Sequence, residues 1–251
     1  MTIQDWMNRF NSTAKIEMQY LIALLITLLS GPALALTPYT AVYDAKGSGF
    51  RASNHMTLSA ADSSGRMEMR SVSKARGLAR LLKHDPIVEY TQFEEVDGKF
   101  RPIEYHYLFN NSGSKRNAWI IFDRKNLVAK SLYKTVTVEL DIRSDHVDRM
   151  LELLVFRTDL IAGKIAEKYS YVERNSLRES VYEILGSETV STKAGDFDTV
   201  KYRRQRVGSS RSAIIWFAPE LEYLPVQVRH FKGDKATGTV KLNHYSSDLN
   251  D

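Results

Sequence analysis

The chain has no cysteine among its 251 residues. That excludes a disulfide framework, a zinc–thiolate site, an iron–sulfur cluster, a cysteine nucleophile and a lipid-modified cysteine. It also lacks a comfortable membrane span. The leading apolar stretch, residues 21–29, reads LIALLITLL, well short of the roughly 20 residues a helix needs to cross a bilayer. Its six histidines include no pair at metal-ligand spacing such as H-E-x-x-H. There is no G-x-S-x-G elbow, no P-loop and no G-x-G-x-x-G; Gly47-Ser48-Gly49 is too short for one. No repeat of fixed period and no low-complexity linker interrupts the chain. These absences point away from metal-dependent, nucleotide-dependent and serine-hydrolase chemistry.

What is present begins with an address. The short apolar stretch ends in Ser30-Gly31-Pro32, and Ala33-Leu34-Ala35 follows. Apolar core, helix breaker and A-x-A together describe a secretory signal peptide. Residues 1–35 are read as that peptide, leaving residues 36–251 as one exported domain in the periplasm. The alternative is an uncleaved leader anchored in the inner membrane. Within the leader Arg9 and Lys15 cancel Asp5 and Glu17, so the net charge of +5 belongs to the exported part. A domain of that length buries enough surface to stand without disulfides.

The exported part reads as strands. Ile103, Tyr105, Tyr107 and Phe109 alternate with polar neighbours, as do Val136, Val138, Leu140 and Ile142, and Val226, Val228 and His230. Period-two alternation marks an antiparallel sheet packed on one face. Asp97-Gly98, Lys193-Ala194-Gly195-Asp196, Gly208-Ser209 and Gly233-Asp234 supply turns between runs. One helix is expected over residues 145–157, with Asp145 as its cap and Asp148 in its first turn. Residues 66–83 read as a strand to about Ala75, then a short helical piece from Gly77 to Lys83. About ten strands around one buried helix give a mainly β fold: a curled, half-barrel-like antiparallel sheet wrapping that helix.

Two sets of residues stand out. Tyr105, Tyr107, Phe109, Trp119, Met150, Leu154 and Trp216 are candidates to line a ligand cavity inside the curl; the plainer reading is packed core, with Trp216 as an anchor. Arg70, Lys74, Arg76, Arg80 and Lys83 are candidates for contact with an anionic surface; the plainer reading is a charge-guarded edge strand. Asp145, His146 and Asp148 read as a helix start, and no metal or cofactor is expected. No nucleic-acid motif is present.

The runs Gly195-Asp196-Phe197-Asp198-Thr199-Val200-Lys201, Ile215-Trp216-Phe217-Ala218-Pro219-Glu220 and Leu224-Pro225-Val226-Gln227-Val228-Arg229, with Gly98-Lys99-Phe100-Arg101-Pro102 upstream, resemble the bacterial exported proteins grouped as domain of unknown function 3108. The resemblance spans about Tyr39 to Tyr245. It implies a mostly β protein of the Gram-negative envelope with no catalytic residues to carry over. The outline is similar to lipoprotein-carrier half-barrels, in which a curled sheet holds acyl chains. The expected role is therefore non-enzymatic: binding or carrying a hydrophobic or amphipathic envelope molecule, with an envelope scaffold acting on a partner protein through a basic surface as the alternative and a hydrolase the least favoured. A membrane contact is expected only through an uncleaved leader.

Overall fold

The structure, a computed structural model, describes residues 37–47, 49–77, 85–111 and 114–247. The expected signal peptide, the helical piece ending at Lys83, and Arg80 and Lys83 themselves lie outside the described residues.

The chain walks outward along one sheet, jumps, and walks back. β1 (Tyr39–Gly47), β2 (Phe50–Leu58), β3 (Arg66–Arg76), β4 (Ile87–Val96) and β5 (Lys99–Leu108) are neighbours in order. β6 (Asn110–Asn111) and β7 (Ser114–Lys115) make a separate small ladder. β8 (Ala118–Asp123), β9 (Val128–Tyr133) and β10 (Val136–Asp141) extend the sheet to its first edge. β11 (Val147–Asp148) then forms the opposite edge and leads into the helix, α1 (Arg149–Ala162). β12 (Tyr169–Glu173), β13 (Ser176–Ser191), β14 (Asp196–Arg206), β15 (Arg211–Ala218), β16 (Leu224–Lys232) and β17 (Lys235–Ser247) return, and β17 pairs with β1. The sheet has fifteen strands, more than the ten expected.

Turn chemistry fixes the hairpins. At Asp97-Gly98, two residues join β4 to β5, and both have positive φ (53° and 68°). A two-residue turn of this hand matches the twist of the strands it joins, and Asp-Gly tolerates it.

Only residues 142–146 connect the two edge strands. Six Cα steps span at most about 20 Å, so the sheet has to curl until its edges approach. They meet without a ladder. Asn175 Nδ2 donates to Val136 O at 2.9 Å, Arg124 Nη2 donates to His146 O at 2.7 Å, and the Ser131 hydroxyl donates to Arg174 O. The Arg174 guanidinium sits 4.9 Å from the Tyr133 ring centroid. The result is a curled, unclosed sheet with side chains across its seam.

The helix fills part of the curl. Its N-cap is Asp148, not Asp145. The Asp148 carboxylate accepts from Met150 N at 2.8 Å and Leu151 N at 3.1 Å, which satisfies amides left open at a helix start. Asp145 instead pairs with Arg143 at 3.0 Å, out in solvent. The helix also runs past Arg157 to Ala162, because the stop signal is Gly163 in the left-handed conformation (φ 66°). Met150, Leu151 and Leu154 pack with Tyr39, Ala41, Phe93, Tyr105 and Ile120 from the sheet. Phe156 anchors a second cluster, stacking on Tyr182 at 3.6 Å and meeting Tyr202 edge-on at 5.2 Å.

Two predictions follow from caps and close approaches. Burial lifts the Asp148 carboxyl to about 6, against the pull of its Thr91 and backbone hydrogen bonds. A carboxyl raised on folding adds stability that is full below 3.8 and is lost as pH climbs through about 6. Asp148→Asn keeps the cap acceptor, and its amide can donate to Thr91 Oγ1, whose hydroxyl then turns to Glu104 O at 3.3 Å. Denaturant titrations should show the stability of this variant gaining on wild type across that pH window. Asp148→Ala should lose about 1–2 kcal/mol at low pH, a deficit that narrows as pH climbs through about 6. Separately, a Cβ on Gly47 would stand 2.6 Å from Thr237 O, whereas one on Gly238 would stand 3.3 Å from Lys46 O. Gly47→Ala should therefore cost about 1–3 kcal/mol and melt below Gly238→Ala in a thermal scan.

Candidate functional site at the open end of the curl

Register shows which side chains point inward. Tyr39, Leu58, Met69, Thr91, Tyr105, Ile120 and Ser131 form one inward row across seven strands. The next rows toward one end hold Ala41, Met56 and Ser71, then Tyr43, Asn54 and Ser73, then Ala45, Ala52 and Ala75. The inward side chains thus shrink along β2 and β3, while on β1 tyrosine and alanine alternate. On β17 and β16 the positions matching Ala45 are Val240 and Val228, and those matching Gly47 are Gly238 and His230.

Alanine reports what covers this wall. Beside the helix Ala41, Ala118 and Ala129 are sealed, at 0%, 3% and 0% exposure. Ala45, Ala52 and Ala75 face the same way and stay half-buried. There the concave face of the curl stays partly open to water. Its wall has a polar floor: Asn54 Nδ2 donates to Ser71 Oγ at 2.6 Å and Ser73 Oγ at 2.8 Å.

Charged groups border this space from the helix side. Arg149 lies 3.0 Å from Glu89 and 3.4 Å from Glu173, and Glu173 also holds Arg206 at 2.9 Å. Tyr105 donates to Glu89 at 2.8 Å. One turn along, the fully buried Glu152 is met by Arg204 at 3.0 Å and by the Tyr182 hydroxyl at 3.0 Å. Glu89 holds Arg149 firmly charged, above its ordinary range, against the cost of burial. For Arg204 burial works against the charge, but Glu152 overrides it and raises the group. His230 behaves the opposite way. Burial, then the Arg204 and Arg149 guanidiniums, push it below its ordinary value, so it stands neutral near pH 7. Arg149 keeps 40% of its side chain open to water although Glu89, Tyr105, Glu173 and Arg204 surround it. That combination belongs to a concave surface.

The seven aromatic and aliphatic candidates divide. Tyr105, Met150 and Leu154 come together in the packed core, at 2%, 7% and 1% exposure. Tyr107 stands one row further on, half-buried, where Arg149 and Glu89 act on it. Phe109 lies just past the end of β5, its amide on Asn117 Oδ1 at 3.0 Å. Trp119 is on the outer face, 44% exposed, with His106 4.7 Å away. Trp216 is buried on the side of β15 opposite Ile215 and Phe217; it bonds Glu188 and lies under the Lys201 ammonium. Of the basic candidates, Arg70, Lys74 and Arg76 share the outer face of β3. Arg70 sits over Tyr90 at 5.5 Å and near Glu68 at 3.7 Å, Lys74 is exposed, and Arg76 pairs with Asp44 at 2.9 Å. Arg149, Arg204, Glu89 and His230 escaped sequence reasoning. A run of small inward residues opposite an arginine in a first helical turn, where the dipole disfavours it, is the signal that could have found them. Among the described residues no His, Asp and Glu gather in a group of three that could hold a metal.

Comparison with known proteins locates the fold. A β-barrel-like protein of domain of unknown function 1849 from Brucella abortus superposes with a TM-score of 0.54 at 11% identity, covering 84% of this chain and 98% of its own. A candidate exported protein with YmcC-like fold from Bacteroides fragilis (TM-score 0.33, 9% identity, 83% and 95% covered) and a candidate lipoprotein from Parabacteroides distasonis (0.31, 10%, 84% and 95%) are more distant. At these identities the likeness concerns fold alone. No curated protein matches the sequence. The family model described as "Protein of unknown function (DUF3108)" matches residues 39–242, and the chain belongs to that family.

Proposed function

We propose that this protein is a binding protein of the bacterial envelope, and that it holds an amphipathic molecule in the open end of its curled sheet. The observation that carries the reading is the change in the inward wall. Under the helix, alanines are sealed; further along, Ala45, Ala52 and Ala75 stay half-open on the same inward side as Glu89 and its partner Arg149. Such a wall offers apolar contact on one side and charge-assisted hydrogen bonds on the other. A chain or ring packs against the small residues, and a polar head meets the ionic cluster.

The role is retention and not catalysis. Glu89, Glu152 and Glu173 are each paired with an arginine, an arrangement that fits holding a polar head better than turning over a substrate. The leader expected from the sequence of residues 1–35 supports periplasmic placement, where such a molecule would be met.

Filling the space tests the reading. Protein purified from the periplasm, analysed by native mass spectrometry and organic extraction, should carry a co-purifying amphiphile. Ala52→Trp should fold, keep its melting temperature within a few degrees and come out empty. Wild-type protein free of any amphiphile, or a filled variant that retains it, would sink the proposal.

A further inference from the structure

The outer face carries a different feature at the same end of β1, β2, β16 and β17. Register sets Arg76 directly opposite Arg51, Arg51 opposite Lys46, Lys46 opposite Thr239 and Thr239 opposite Arg229. Four cations thus occupy one row across five adjacent strands. Directly opposed side chains stand about 5 Å apart at Cβ, and like charges at that spacing repel. Nothing in the sheet needs this arrangement; a threonine at any of the four would relieve it.

Neutralisation is incomplete. Arg76 has Asp44 at 2.9 Å, and Asp44 is shared with Lys193 at 2.7 Å and the Asn243 amide at 2.8 Å. Among the described residues Lys46, Arg51 and Arg229 have no ion pair; Arg229 has only the Phe231 ring, 5.5 Å away. These three cations do not point into open solvent alone. With Thr237, Thr239 and Phe50 they line a groove of about 620 Å³, a size usual for a small-molecule site. The backbones of Gly47 and Gly238 meet behind it too closely for a side chain on Gly47. Phe50 at the rim is 53% exposed.

We propose that this groove binds a phosphate-bearing group. Three unpaired cations and two threonine hydroxyls supply donors to a dianionic or bridged phosphate, and bound phosphate removes the repulsion within the row. Phe50 gives an apolar rim to whatever the phosphate is attached to. The site lies on the face opposite the interior space and does not depend on the reading given to that space.

Two probes separate the sources of phosphate. Inorganic pyrophosphate, followed by calorimetry, stands for a soluble ligand. Vesicles of phosphatidylcholine with and without phosphatidylglycerol, followed by co-sedimentation, stand for a lipid headgroup. Full-length protein as purified should bind one or both probes, and binding should weaken as salt rises. The double variant Arg51→Gln/Arg229→Gln should lose at least about tenfold in affinity, as expected for two charged hydrogen bonds, and melt no lower than wild type because repulsion has been removed. Binding to the anionic vesicles alone identifies a headgroup; binding to pyrophosphate alone identifies a soluble phosphate compound. If neither probe binds, or the variant binds as tightly as wild type, the proposal is wrong. Should the double variant not fold, Lys46→Gln carries the same comparison.

Discussion

Residues 142–146 are the whole distance the chain has between the two edges of a fifteen-stranded sheet. The rest of the architecture answers to that tether. A sheet this wide has to twist and coil in any case, but twist alone does not bring its edges together; the short link does. Once the edges are close, the turn between β12 and β13 reaches β9 and β10, and Arg174 and Asn175 close the seam with side chains. The helix follows directly on β11, so it begins at the seam and is laid inside the curl by the same link.

Inside, the helix is oriented by polar contacts as much as by packing. Asp148 takes the Thr91 hydroxyl at 2.6 Å, Arg149 reaches Glu89 and Glu173, Glu152 meets Arg204, and Arg157 bonds the Tyr39 hydroxyl at 3.2 Å and Glu222 O. Those partners stand on β4, β12, β14, β1 and the loop before β16. Burying Glu152 and Arg157 without partners would cost several kcal/mol each, so a helix rotated or slid from this position loses far more than a few apolar contacts. The tethers therefore define one pose. In that pose the fourteen-residue helix, about 21 Å long, covers only part of the inward wall. The uncovered remainder is a consequence of helix length and register, and the small residues of β1, β2 and β3 are what remain there.

This explains how much of the protein was legible in its sequence. β5 alternates cleanly because its inward residues Tyr105 and Tyr107 face the helix and the ionic cluster beside it. The helix was legible because Met150, Leu151 and Leu154 repeat at its period, while its true cap, Asp148, was passed over for Asp145, which also suits a cap. The strand count fell short where alternation fades. β2, with FRASNHMTL, carries Asn54 and Ala52 inward toward its open end, and a rule that looks for apolar inward residues registers such a strand only weakly; β3, expected as a strand to about Ala75, runs to Arg76. The weak pattern was itself the imprint of the open end. Trp119 misled in the other direction and stands on the outer face, since an aromatic side chain on a strand says nothing about which face is wet; Trp216 sits in the core, the plainer of its two readings.

The two faces at that end resolve the same physical problem in opposite ways. Inward, every charge beside the open space is matched: Arg149 by Glu89 and Glu173, Arg204 by Glu152, Arg206 by Glu173. Outward, Arg51, Lys46 and Arg229 stand in one row with only the Arg76 end of it neutralised. A matched interior is stable empty and gains little from an added charge, so affinity there has to come from apolar contact with Ala45, Ala52 and Ala75. An unmatched row has its repulsion in place before any ligand arrives, so affinity there comes from charge. The net charge of +5 is thus not spread evenly over the domain. Part of it is concentrated in one row across β3, β2, β1, β17 and β16, on the outer side of the sheet.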